Sequence, residues 1–311
     1  MDSSMKINYK LRGTNHKLEF PWYGANATTM VVGADVTHSA KGSNAPSVAG
    51  VVATCDEYDG RYLASARIQT CKTEYIEDLE GMIEERLEVF FAHNGKLPNE
   101  ILFYRDGVSE SQYGMVYLDE LPKVKAGCLA IGEKRQIPGY DPKITMLVVG
   151  KRHHTRFYPK DSPKDKVGKN LNPGLVIDHT IVTPQYDNFY LQSHDSPEGT
   201  ARSGHYVVIS NDSGYTPEKL QEVTYRLCFT GSRAPTSLSI CTPARYADLL
   251  CDRLRAYLRP IFERKEGFKD FPPDRPLDEY RACSTTWTSA SNDNGSKLPW
   301  HGKLEDSMFY L

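Results

Sequence analysis

No apolar run in the 311 residues approaches the roughly 18 that a membrane-spanning helix needs, which argues against a helical integral membrane protein. The basic N-terminus, MDSSMKINYKLRG, is followed by no apolar segment and does not read as a secretory signal. Cysteine is sparse and unpatterned: Cys55, Cys71, Cys128, Cys228, Cys241, Cys251 and Cys283 are an odd seven, with no C-x-x-C pair. Such usage speaks against a disulfide framework and a structural zinc site, and for a reducing compartment, the cytoplasm. An excess of one charge sign is also missing. With 38 Lys and Arg against 40 Asp and Glu the net charge is −2, unlike a simple basic coat for nucleic acid.

What remains is an ordinary globular composition, 39% hydrophobic and 25% charged, long enough for one large α/β domain or two smaller ones. Charge is instead concentrated locally. Lys151 to Asn170 (KRHHTRFYPKDSPKDKVGKN) holds seven Lys/Arg against two Asp. A charge run is commonly a solvated loop. This one follows a buried strand and is mixed with His153, His154, Phe157 and Tyr158, which suits phosphate contacts and stacking.

Met30 to Val36 (MVVGADV) reads as a buried strand ending in an acid. Ser47–Thr54 and Tyr62–Thr70, separated by a turn, read as a hairpin. From Glu74 to His93 the period changes: Ile76, Leu79, Ile83, Leu87 and Phe90 form a helical stripe. Further strands are expected at Glu100–Tyr104, Lys143–Gly150, His205–Ser210 and Ser237–Cys241. Thr216-Pro217-Glu218 and Thr242-Pro243 open helices, the second through about Leu258. Polar, proline-rich Pro260 to Gly302 reads as a mobile surface insertion, and Met308–Leu311 as an apolar tail docking back. Hairpins followed by alternating strands and helices point to a mixed α/β sheet flanked by helices.

Asp35 and Asp106 each close an apolar strand. A lone acid there caps a turn or binds a cation, because burying it unpaired is costly. Two on neighbouring parallel strands, about 5 Å apart, share one rim. Carboxylates gathered so repel one another unless a hard cation such as Mg²⁺ neutralises them, and a pair of such ions suits phosphodiester hydrolysis.

The segments around these acids sharpen the reading. G-A-D-V-T-H (Gly33–His38), Y-R-D-G-V-S-E (Tyr104–Glu110) and K-R-H-H-T-R (Lys151–Arg156) resemble, in order, signature segments of eukaryotic Argonaute PIWI domains. S-H-D-S-P-E-G-T-A-R (Ser193–Arg202) and P-A-R-Y-A-D-L (Pro243–Leu249) resemble later ones. The resemblance implies an RNase H-like fold and a nuclease that cuts RNA paired to a guide. It implies two Mg²⁺ ions, with Mn²⁺ able to substitute, on Asp35, Asp106, Asp248 and a loop glutamate. That glutamate matches Glu74, with Glu77 and Asp78 as neighbouring alternatives. Asp248 stands where many animal relatives carry histidine. It lies about 200° around its helix from Tyr246, off the stripe of Tyr246, Leu250, Leu254 and Tyr257, which permits a ligand role and equally a solvated one.

For the guide, the resemblance places the 5′ phosphate on Lys6, Lys10 and Arg253, and the backbone on Lys151, Arg152, His194, Arg202 and Arg233. Any of these is alternatively a plain surface charge. Expected partners are a small guide RNA, its complementary target and effector proteins, with no membrane. Residues 1–20 resemble the last edge of a MID domain and linker, and 21–311 the PIWI domain. The chain thus reads as a fragment whose N, PAZ and MID domains lie elsewhere. Ser39 replaces the family's usual proline, and the insertion at about 260–302 has no clear counterpart, which suggests a fungal member. A complete acidic set favours a cutting enzyme over a non-cutting guide-binding silencing module. Other RNase H-like enzymes, such as transposases, would lack the K-R-H-H-T-R and Y-R-D-G-V-S-E segments.

Overall fold

The computed structural model describes residues 3–18, 28–39, 45–56, 60–160, 170–196, 198–232, 235–262, 280, 300 and 302–311. Strands β1 (Thr29–Thr37), β2 (Ser47–Thr54) and β3 (Tyr62–Gln69) form an antiparallel meander. On the other side of β1, β4 (Glu100–Asp106) and β5 (Lys143–Gly150) add in parallel. Three antiparallel strands, β6 (Leu175–Ile177), β7 (Asn188–Gln192) and β8 (Gly204–Asn211), complete an eight-stranded sheet in the order β3-β2-β1-β4-β5-β8-β7-β6. The central strands are apolar almost throughout because helices cover both faces. Met30, Val32 and Ala34 face a cluster with α2 (Leu79–Asn94) and α4 (Leu121–Lys134). Val31, Leu102 and Tyr104 face α5 (Pro217–Leu227), α6 (Thr242–Phe262) and the buried tail Met308–Leu311.

α5 starts as its sequence directs, with Thr216 accepting the Lys219 N–H and proline in the first turn. α2 ends at Gly95, whose left-handed backbone (φ +70°) returns its N–H to Phe91 O. α2 and α4 cross closely at Gly127, where a Cβ would fall 2.7 Å from Glu80 O. A helix of any other residue could not pack so near.

Several expectations are corrected. α2 begins at Leu79, not Glu74, because side chains from other elements hold the backbone of 73–77 in a loop. β4 runs on through Asp106 instead of breaking at Arg105. Ser237–Cys241 is not a strand: Ser193 Oγ bonds Leu238 O, Ser237 Oγ bonds Ser193 O, and the Tyr206 hydroxyl takes the Cys241 N–H, so the ladder is replaced by side chains. α6 passes through Pro260 to Phe262, whose ring meets Tyr280. Tyr280 and Trp300 are 6% and 2% exposed, so the 260–302 segment is not wholly a surface insertion; residues 263–279, 281–299 and 301 of it lie outside the described residues. α1 (Ser3–Lys10), α4, β6 and β7 were not anticipated, nor were α3 (Tyr113–Met115) and the π-helical turn Val116–Glu120 that leads into α4.

Candidate active site

The parallel register of β1 and β4 sets Gly33 opposite Tyr104 and Ala34 opposite Arg105, so Asp35 and Asp106 follow side by side. Alternation along each strand puts both on the α6 face, in the rows of Val31 and Gly33 and of Leu102 and Tyr104. Gly33 admits α6: a Cβ there would lie 2.0 Å from Pro243 O. Its lack of a side chain brings the start of α6, and Asp248 with it, against the rim. Gly107 (φ +83°) does the same for Asp35, since a Cβ would meet Asp35 Oδ1 at 2.7 Å. Its N–H donates to Asp106 Oδ1 at 2.7 Å.

Asp35 is 8% exposed. Its carboxyl is pushed up to about 6 by burial, with Arg105 opposing and Asp248 adding to the rise. Asp106 is pushed up to about 7 by burial and then by the charge of Asp35, with Asp248 contributing further. Asp35 and Asp106 thus both feel the charge of Asp248, and Asp106 that of Asp35 as well. The buried Arg105 offsets this only in part, because it is paired with Glu120 at 2.9 Å, with exposures of 1% and 0%. Asp248 is held by Arg245, one turn back on α6.

Glu74 sits on the β3–α2 loop, 38% exposed at its side chain, with Oε1 3.0 Å from His38 Nε2. That contact is close enough for an ion pair but out of line for a hydrogen bond, and His38 Nε2 has no hydrogen-bond partner. The two alternative acids have other work. Glu77 accepts the Thr70 N–H, and Asp78 binds Arg67 at 2.6 Å. Among the described residues, no group of three or more His, Cys, Asp or Glu side chains is placed to hold a metal ion by itself.

The Piwi domain pattern matches residues 4–259 of the chain. Over 257 residues the chain is 39% identical to protein argonaute-2 of Drosophila melanogaster, covering 82% of this chain and 21% of that protein. The chain belongs to the PIWI-domain family of eukaryotic Argonautes. It is also similar to a structure of Kluyveromyces polysporus Argonaute with a guide RNA, at TM-score 0.84 and 26% identity, covering 99% of this chain and 34% of that one. The C-terminal lobe of a budding yeast Argonaute gives TM-score 0.83 at 28% identity, covering 99% of this chain and 60% of that one. The mixed sheet with helices on both faces is the RNase H-like arrangement of PIWI domains. The chain spans only about a fifth of the length of the Drosophila relative.

Around the acidic rim of this PIWI domain lie several of the basic residues singled out from the sequence. Lys151 follows β5 and donates to Ser239 Oγ. Burial, then Arg245 and Arg202, lower its affinity for a proton, while Asp106 and Asp248 oppose them. Arg152 bears on Asp35. His194 is lowered by burial and then by Lys151, and its buried Nδ1 has no partner. Lys151 and Arg152 thus lie within electrostatic reach of the aspartates, and Arg202 and His194 within reach of Lys151. Lys6 and Lys10 share one face of α1, four residues apart. Arg253 is on α6 and donates to Leu311 O at 3.4 Å. Arg233 lies outside the described residues.

Residues that sequence reasoning passed over are Arg105 and Glu120, Arg245, and Ser47, which meets His38 Nδ1 at 2.8 Å. Arg105, Arg245 and His38 stood inside the quoted motifs, a signal that went unused. Glu120 carried none.

Proposed function

We propose that this PIWI domain is the cutting unit of a guide-RNA-directed endoribonuclease, hydrolysing a phosphodiester of target RNA paired to the guide. One observation carries the reading: two adjacent strand-end aspartates whose ionisation is opposed by burial and by neighbouring carboxylates, Asp248 for Asp35 and Asp35 with Asp248 for Asp106. Such an all-oxygen, under-neutralised pair fits Mg²⁺, which is typically held by one or two carboxylates completed by waters and substrate phosphate. Asp35, Asp106 and Asp248 would hold it, with Glu74 joining from its loop. When bound, a pair of such ions activates a water and stabilises the leaving oxygen.

The chain's own residues do the rest. Arg245 holds the Asp248 carboxylate on its exposed side of α6, at the rim. Arg105, paired with Glu120, gives its remaining N–H groups to Asp106 O and Glu74 O and so ties the two catalytic segments together. Lys151, Arg152, His194, Arg202 and Arg233 would follow the guide backbone. Lys6, Lys10 and Arg253 would contribute to its 5′ phosphate site, a compact dianion that needs several cations. Contacts of this kind read phosphates and shape, so base pairing selects the target. The six described cysteines are free thiols, which fits work in the cytoplasm. Among the described residues, no helix is long and apolar enough to cross a membrane.

The test is cleavage of a labelled target by guide-loaded protein in Mg²⁺. Asp35→Ala and Asp106→Ala should lose cutting while guide loading persists, and chelator should stop the wild type. Either variant cutting at the wild-type rate overturns the assignment. A wild type that holds guide and target without cutting shows instead the non-cutting silencing module.

A further inference from the structure

The segment between β3 and α2 presents Glu74, yet its backbone joins neither helix nor sheet, so its polar groups must find partners elsewhere. Gln69, the last residue of β3, is fully buried. Its Nε2 donates to Thr73 O at 3.0 Å and to Tyr75 O at 2.9 Å. Its Oε1 accepts the Glu77 N–H at 3.3 Å. A primary amide offers two donors and an acceptor in one plane, and here all three bonds go to the five-residue stretch Thr73 to Glu77 that contains Glu74. Other side chains touch the same loop on one side only. Arg105 binds Glu74 O at 2.6 Å, Glu120 takes the Ile76 N–H at 3.0 Å, and Lys123 reaches Ile76 O and Glu77 O. Among the described residues, Gln69 alone grips the carbonyls immediately before and after Glu74.

The peptide planes on either side of the Glu74 Cα set the direction of its Cα–Cβ bond: Gln69 holds the first through Thr73 O, Arg105 holds the second through Glu74 O, and Gln69 fixes the plane beyond through Tyr75 O. Gln69 is also the cross-strand partner of Ser47, whose Oγ meets the ring of His38, the residue facing the Glu74 carboxylate. One rung of the β2–β3 ladder thus supports both Glu74 and the imidazole opposite it.

We propose that Gln69 is a positioning residue for Glu74: its buried amide holds the loop so that the carboxylate is delivered to the metal-binding rim at little ordering cost. This rests on the proposed nuclease reading. Removing an outer partner of a metal ligand commonly costs about 10- to 100-fold in metal affinity or activity.

The experiment uses Gln69→Met, of similar length without the amide, and Gln69→Glu, which keeps the acceptor for Glu77 but loses both donors. In guide-loaded protein, target cutting should fall about 10- to 100-fold, with guide and target affinity unchanged. The Mg²⁺ concentration for half-maximal cutting should rise about tenfold, and excess metal should restore much of the rate. Independently of cutting, hydrogen exchange at the Ile76 amide should accelerate in both variants, and at the Glu77 amide in Gln69→Met, while exchange in β1 and β4 does not. Unchanged metal dependence with unchanged exchange at these amides overturns the proposal, as does a rate deficit that saturating metal leaves untouched. Loss of the fold in both variants also counts against it, since Gln69 would then hold the core rather than the loop. If Asp35→Ala still cuts, the nuclease reading fails instead; if Asp35→Ala is dead and Gln69→Met cuts normally, only the positioning role fails.

Discussion

Replacing Asp106 by asparagine should make the metal-free protein more stable while ending its activity. Asparagine keeps an oxygen for the Gly107 N–H but removes the charge that burial and Asp35 oppose. The rise of the Asp106 carboxyl from 3.8 to about 7 corresponds to about 4 kcal/mol at about 1.4 kcal/mol per pH unit. Its carboxylate is partly open to water, so screening reduces the realised gain to about 2 kcal/mol. The sign follows from proton counting. Between 3.8 and about 7 the folded chain keeps a proton that the unfolded chain has lost, so wild-type stability falls as pH rises through that window. The advantage of Asp106→Asn should be near zero at pH 4, grow with pH, and level off above about 7. Thermal or urea denaturation in chelator from pH 4 to pH 8 reads this directly, and about 2 kcal/mol corresponds to a midpoint shift of about 3 °C for a chain of 311 residues. A loss of stability at pH 8, or a gain equal at both ends of the range, would show that no charge penalty is stored at the rim.

Glu120→Leu should destabilise by about 3–5 kcal/mol because it strands the buried Arg105 cation, and adding Arg105→Met should recover part of that loss in the same denaturation assay. Gly33→Ala should lower the melting midpoint by an amount equivalent to about 1–3 kcal/mol and slow cutting, since its Cβ must push the start of α6 off the rim. Lys151→Ala should weaken guide binding similarly for all sequences and reduce the salt slope of log Kd by about 1, measured by titrating labelled guide at several salt concentrations.

The central strands were legible because a strand buried on both faces is a continuous apolar run, and the bounds of β2 and β5 match the expectation residue for residue. Asp35 and Asp106 were legible for the same reason, as acids closing such runs. Where backbone partners come from distant side chains, local pattern misled. The stripe of Ile76 and Leu79 continues through a loop that Gln69, Arg105 and Glu120 hold open, so periodicity extended the helix too far back. Ser237–Cys241 looked like a strand although Ser193 and Tyr206 occupy its backbone. Glycines at 127 and 132 obscured α4, although Gly127 is what lets α4 pack on α2. The Arg105–Glu120 pair depends on the π-helical turn that carries Glu120 beneath β4, a geometry with no signature in the sequence.

The most direct measurement is anomalous scattering from Mn²⁺ in crystals of the guide-loaded protein. Manganese should appear at the rim with oxygens of Asp35 and Asp106 within about 2.0–2.6 Å and Asp248 or Glu74 completing the set, and it should vanish in Asp35→Ala. A rim without manganese at saturating concentration, or manganese bound elsewhere while the target is still cut, would contradict the site proposed here.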